Sequence, residues 1–250
     1  MTTADQATQS PSPKKSKEEG PLTYQYIFTL PNGERKEFMT QLDRKTLSYL
    51  KPERASYPEW TALTYRKCAN CPLNEQEHPR CPAAEGLVDI VEQFADAVSY
   101  DSTQVRVEAD DRSYEHQMPL QKGLSGLIGL RMATSGCPVV RRLRPMTRHH
   151  LPFSSLYETR FRILSMYLLS QYLKAKRGGA PDWQLKDLAQ HYKDIQLVNL
   201  DFTRRLLPAT SGDASVNAIV ILNAFADAIA FTISGEMLNE LEQVFATARE

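Results

Sequence analysis

Residues 24–42 read YQYIFTLPNGERKEFMTQL, and the alternation within them decides the fold class. Tyr24, Tyr26, Phe28 and Leu30 alternate with mostly polar neighbours, Asn32-Gly33 supplies a turn with positive φ, and Phe38, Thr40 and Leu42 resume the alternation. Side chains two apart share one face of a strand, so this period predicts a β-hairpin over 23–42. A second hairpin is expected over 103–118, where Val105 and Val107 lead through the polar Ala109-Asp110-Asp111 turn into Arg112 to Met118. Two hairpins can join into one small antiparallel sheet.

Outside these stretches the long segments have a helical period. From about Ala83 to Val98, Leu87, Ile90, Val91, Phe94 and Val98 recur at spacings of three and four and predict one helix with a buried stripe. In 120–134, Gly123, Gly126 and Gly129 recur every third residue, which lets a neighbour approach closely at a cost in helix propensity. A nucleotide-binding fingerprint needs the GxGxxG spacing at a strand-to-helix turn, so close packing is the reading here. Ser155 and Glu158 make a capping box ahead of Phe161, Leu164, Tyr167, Leu168 and Tyr172, and Gly178-Gly179 stops that helix. Asp182 is the expected cap of the next, whose stripe runs Leu185, Leu188, Tyr192, Ile195, Asn199, Phe202 and Leu206 before Pro208. After Asp213, the run from Ala218 to Ile233 is nearly continuously apolar and close to membrane-spanning length. Asn217, Asn223 and Asp227 would each be costly in lipid, and no basic cluster flanks the run immediately, so a central core helix is expected and no membrane span.

The resulting expectation is an α+β, mainly helical single domain with a small antiparallel sheet of two β-hairpins. It spans 21–250 and follows a tail over 1–20 that is too rich in Ser, Thr, Gln, Pro, Lys and Glu to order itself. At 250 residues with 42% hydrophobic side chains the chain can fill a sizeable core. Thirty basic residues balance thirty acidic ones, so no global field draws it to nucleic acid or an anionic membrane, and any charged function is local. No secretory signal pattern stands at the start, which predicts a cytoplasmic, reducing setting. Four cysteines there point to metal or redox chemistry before disulfides.

Cys68 and Cys71 form a C-x2-C pair, Cys81 follows after nine residues, and Cys137 stands far downstream in Ser135-Gly136-Cys137-Pro138. Thiolates two residues apart can grip one ion, and two more would complete the tetrahedral shell that zinc prefers. Such a site would tie the cysteine loop 65–82, which lacks a convincing hydrophobic pattern, onto the end of the glycine-rich helix. Against this, Cys71, Cys81 and Cys137 are each followed by Pro, which offers no amide to sulfur. Cys-Pro also occurs after iron–sulfur ligands, so a cluster is a second reading, although C-x2-C-x9-C matches no ferredoxin run. His78 can replace one cysteine, and buried free thiols with no cofactor are the third reading.

Between Cys137 and the next helix lie Arg141, Arg142, Arg144, Arg148, His149 and His150 with no acidic residue among them, a pattern suited to an anionic ligand or partner. Arg160 and Arg162 extend the patch. The bland alternative is an intramolecularly paired loop. Single-stranded nucleic acid would want interleaved aromatic platforms, and only Phe153 and Tyr157 offer them. An enzyme or redox sensor would use Cys137 as nucleophile with His149 or His150 as base and Glu158 or Asp227 to orient it, leaving His78 or His116 to complete a metal shell.

Cys68-Ala69-Asn70-Cys71-Pro72, Cys81-Pro82-Ala83-Ala84, Leu120-Gln121, Ser135-Gly136-Cys137-Pro138, Pro145-Met146, His150-Leu151-Pro152-Phe153, Glu158-Thr159 and Tyr167-Leu168-Leu169 together resemble a bacterial family known only as a domain of unknown function. The resemblance covers the first hairpin to about residue 206, implies one integral domain, and brings no activity or catalytic residue. The leading expectation is therefore a metal-stabilised binding or regulatory protein holding Zn2+ on Cys68, Cys71, Cys81 and Cys137, with an anion site on Arg141, Arg142, Arg144, Arg148 and His150. Its rivals are the cysteine-dependent enzyme and a helical scaffold without a cofactor.

Overall fold

The computed structural model describes residues 20–233 together with Glu242, Phe245 and Ala246; apart from Gly20, the expected tail over 1–20 lies outside the described residues. The two predicted hairpins form as β1 (Leu22–Thr29) with β2 (Arg35–Leu42) and β3 (Ser102–Glu108) with β4 (Ser113–Pro119). They join through antiparallel β1 and β3 into one sheet of order β2-β1-β3-β4. Register places Tyr26 opposite Phe38 on one side and Val107 on the other, so the alternating residues Tyr24, Tyr26, Phe28, Phe38, Thr40, Val105 and Val107 are buried. Gly33 takes the left-handed turn position at φ 84°.

The single helix expected over 83–98 is instead two short ones, α1 (Pro82–Glu85) and α2 (Val88–Gln93). The break has an identifiable cause: the Gly86 carbonyl accepts a hydrogen bond from Arg131 Nη1 at 3.1 Å in place of a helical N–H. The buried Arg131 also donates to Thr40 Oγ1 and the Met39 carbonyl and faces Asp89, so it ties the sheet to this corner.

α3 (Leu120–Thr134) lies against the sheet, and the glycine row is its contact line. A Cβ at Gly123 would stand 2.7 Å from Val105 Cγ2, and one at Gly126 would stand 3.0 Å from Tyr26 Oη. Gly129 faces the other way, 3.2 Å from Leu222 on α6 (Ala214–Ile233). The helix is therefore buried on opposite sides, between sheet and α6, which explains a composition with little polar face.

Residues 140–149, expected as a loop, form a 3-10 helix, Val140–His149. α4 (Leu156–Lys176) starts with the predicted capping box: Ser155 Oγ accepts from the Glu158 amide at 3.2 Å and the Glu158 carboxylate accepts from the Ser155 amide at 2.8 Å. α5 (Lys186–Leu206) is capped differently from the expectation, because Leu185 occupies the N-cap with φ 60°. Asp182 still serves this end, its carboxylate accepting from the Asp187 amide at 2.8 Å and from the Tyr167 hydroxyl at 2.9 Å. α6 is long and apolar enough to cross a membrane by length and composition. It packs one face on α3 and α5 and leaves Val220 and Phe231 exposed, so it flanks the core rather than running through its centre.

Candidate metal centre and interior cavity

The segment from Trp60 to Cys81 has little apolar pattern and is seated on α5 by polar links. Arg205, 1% exposed, donates from Nη1 to the carbonyls of Trp60 at 2.7 Å and Ala62 at 2.8 Å, and from Nη2 to Arg66 at 3.2 Å. Asn70 Nδ2 donates to the Asp194 carbonyl at 2.9 Å, and the Ala69 amide donates to the Asp201 carboxylate at 2.9 Å. The loop thus rests on α5 as well as beside the end of α3.

The four cysteines are free thiols, Cys81 and Cys137 buried and Cys68 and Cys71 half-buried. Cys81 is the N-cap residue of α1, and Cys137 follows α3 after Gly136, whose φ of 101° turns the chain back. A Cβ at Gly136 would stand 3.8 Å from Pro82 Cβ, so the two Cys-Pro turns are neighbours. Each sulfur finds amides past its proline: Ala84 and Ala83 donate to Cys81, and Val140 and Val139 donate to Cys137. In these two turns the amides that face sulfur therefore come from two and three residues further on, past the proline.

Burial pushes the Cys68 thiol up to about 12 and raises Cys81 and Cys137. The thiols also oppose one another's ionisation: Cys81 and Cys137 raise Cys68, Cys71 raises Cys81, and Cys81 and Cys71 raise Cys137. The Arg205 guanidinium acts in the opposite sense on Cys68 and Cys81; it makes no ion pair with a carboxylate among the described residues, and its buried Nε has no hydrogen-bond partner. Among the described residues, however, no three His, Cys, Asp or Glu side chains stand in an arrangement that would hold a metal ion. His78 is exposed in the loop, and His116, on β4, stacks edge-on against Phe153 with centroids 6.0 Å apart.

The basic segment points its side chains to separate places. Arg142 pairs with Asp194 of α5 at 2.8 Å, Arg144 donates to Ser48 Oγ at 3.0 Å, Arg148 donates to the Arg44 carbonyl at 2.6 Å, and Arg141 is exposed. His150 sits against the inner strand β1 with Nε2 2.6 Å from Tyr26 Oη, and burial together with Arg162 lowers its pKa to about 3. Its imidazole is therefore neutral at ordinary pH. Arg142, Arg144, Arg148 and His150 thus tie the 3-10 helix to α5, to the turn after β2 and to β1.

The described residues also form a half-open cavity of about 710 Å3 bounded by β4, α3, the 3-10 helix, α4, α5 and α6. Met132, Val140, Met146, Ile195, Phe225 and Ile229 give it an apolar wall. Val140 couples it to the sulfurs, since its amide donates to Cys137 while its side chain lines the cavity.

Arg205 and Tyr192 are the important residues that sequence reading missed. Arg204-Arg205 looks like an ordinary basic helix end, and nothing local separates the exposed Arg204 from the buried Arg205. Tyr192 belongs to the expected core stripe of α5; its hydroxyl, however, is buried without a partner on the cavity wall, which no spacing signals.

A family model described as a domain of unknown function (DUF6901) matches residues 22–246. No curated protein and no solved structure matches the chain.

Proposed function

The chain belongs to the DUF6901 family, whose description assigns no activity, and we propose from its own geometry that it is a metal-stabilised binding protein: the interior cavity receives a small molecule, and a four-cysteine centre fixes the wall beside it. The observation that carries the binding half is the cavity itself. At about 710 Å3 it falls within the roughly 300–1,000 Å3 typical of small-molecule sites, and its wall combines apolar side chains with a few polar groups. Uptake of a neutral apolar dye such as Nile red, abolished by Ala226→Phe on the cavity wall, is the expected result; no uptake by the intact protein sinks the reading.

For the metal half, Cys68, Cys71, Cys81 and Cys137 would supply an all-sulfur shell, the donor set that favours zinc. Support comes from three features. The thiols act electrostatically on one another, amides already face two sulfurs, and Arg205 puts a buried positive charge beside Cys68 and Cys81 that forms no ion pair among the described residues. A tetrathiolate zinc centre carries a net negative charge that this guanidinium would offset. Closing the shell requires the sulfurs to draw together. The rival reading, four buried thiols packed as small apolar groups, is favoured by the absence of a ready ligating arrangement among the described residues. Elemental analysis with thiol alkylation separates the two: the metal reading expects one zinc per chain and four protected cysteines, and metal-free protein with four alkylatable thiols overturns it. Iron with acid-labile sulfide would keep the four ligands and replace zinc by a cluster. A cysteine nucleophile is disfavoured because burial keeps the Cys137 thiol protonated, the opposite of activation.

A further inference from the structure

We infer that the cavity is built for an amphipathic monoanion, an alkyl or acyl chain bearing a carboxylate, with the chain in the interior and the head group at Arg162. The inference rests on the binding reading above and adds the ligand's chemical class.

The wall decides the sign of charge. Among the described residues no aspartate or glutamate lines the cavity, whereas Arg162 and Lys122 both do. Arg162, on α4, donates from Nη2 to the carbonyls of Met146 at 3.2 Å and His149 at 2.7 Å, and it forms no ion pair with a carboxylate among the described residues. These two bonds fix the guanidinium from one side, and a fixed guanidinium presents paired donors that match a carboxylate. Lys122 is exposed at the first turn of α3 and adds a second, looser positive charge. His150 also lines the cavity but is neutral and engaged with Tyr26, so it adds no charge. One guanidinium with one solvated ammonium suits a single negative charge better than a dianion.

The wall also holds a polar point deep inside. Tyr192 is 3% exposed, lines the cavity, and its hydroxyl has no hydrogen-bond partner. A buried hydroxyl left unpaired is costly, and a small rotation of the ring that brought it to an oxygen of a bound molecule would remove that cost. The remaining wall, from Met132 to Ile229, offers mainly dispersion contact to a chain. α4 closes the outside thinly, since of its 21 residues only Ile163, Leu164 and Gln171 are buried. A helix held by so few buried contacts gives an entry route by local opening.

The test is calorimetric titration of the full, metal-assayed protein with dodecanoate, dodecan-1-ol, dodecyltrimethylammonium and dodecyl phosphate, repeated on variants. Dodecanoate is expected to bind most tightly. Arg162→Gln is expected to erase its advantage over the alcohol, about tenfold or more for a charge-assisted contact. Tyr192→Phe is expected to weaken dodecanoate by about three- to tenfold while leaving the melting temperature of the free protein unchanged or higher. Ala226→Phe is expected to abolish binding of all four; Ala133→Leu, on the facing wall, takes its place if that variant does not fold. Equal affinity for acid and alcohol, unchanged dodecanoate affinity in Arg162→Gln, or tighter binding of the phosphate overturns the inference while leaving a binding cavity in place. No binding of any of the four overturns the inference and the binding reading together, and the metal content measured on the same sample shows whether the sulfur centre stands apart from that failure.

Discussion

Tyr26 Oη, in the middle of β1, lies 2.6 Å from His150 Nε2 at the end of the 3-10 helix. Two residues earlier in the same strand, Tyr24 Oη donates to the Thr147 carbonyl at 2.8 Å and accepts from the His150 amide at 3.3 Å. The central strand therefore holds the basic segment through two phenols, and Gly126 leaves the space that Tyr26 needs, since a Cβ there would stand 3.0 Å from its oxygen. A sheet residue, a helical glycine and a loop histidine make one joint.

That joint predicts an acid sensitivity. Burial holds His150 at about 3 in the fold, against about 6.5 when unfolded, so the unfolded chain takes up the proton first. Its contribution to stability is complete above about pH 6.5 and is lost as pH falls towards 3, with a slope of at most about 1.4 kcal/mol per pH unit. Urea unfolding of wild type and His150→Gln between pH 7 and pH 4 is expected to show the slopes diverging by up to one proton. Parallel curves refute the assignment.

The proposed sulfur centre predicts coupling between residues 69 positions apart in sequence. Cys68→Ser and Cys137→Ser are each expected to destabilise, and the double variant to lose much less than the sum, because either change opens the same shell. Zinc binding is also expected to release protons, since thiols held protonated by burial must give them up. Calorimetry in buffers of differing ionisation enthalpy measures the number; additive losses with no proton release would contradict a shared ion.

Adjacent arginines should behave as opposites. Arg205→Lys keeps the charge but cannot reach the Trp60, Ala62 and Arg66 carbonyls together, and a loss of about 2–4 kcal/mol is expected from the orphaned buried groups. Arg204 forms an exposed pair with Asp201, so Arg204→Ala should cost no more than about 0.5 kcal/mol. Thermal unfolding of both variants reads the difference, and similar losses would show that burial of Arg205 carries no weight.

Gly123→Ala tests packing against propensity. Alanine is the better helix former by about 1 kcal/mol, yet its Cβ would stand 2.7 Å from Val105 Cγ2 and 3.0 Å from Phe28 Cε1. Overpacking of about 1–3 kcal/mol is expected to win, so the variant should melt lower. A rise in melting temperature would mean that the sheet and α3 can separate freely.

Much of this fold was legible because its signals are local. Strand alternation through Tyr24, Tyr26 and Phe28 needs only the two-residue pleat, and the capping box at Ser155 and Glu158 closes within four residues. The glycine row at 123, 126 and 129 announced close approach, but the two partners it approaches, the sheet and α6, are set elsewhere in the chain. The helix expected over 83–98 failed for a similar reason: Arg131, 45 residues past Gly86, takes the carbonyl that a continuous helix would have used.

Residue order alone was therefore enough for the α+β class, the sheet of two hairpins and the helix ends marked by caps and glycines. Long-range packing alone set which arginines are buried, that Arg142, Arg144 and Arg148 hold the 3-10 helix in place, that His150 is neutral, and that an apolar cavity opens between α3 and α6. The division follows from range. Periodicity and capping act between residues a few positions apart, whereas desolvation of a charge and the shape of a void depend on every element that packs around them, and those meet only when the chain has closed.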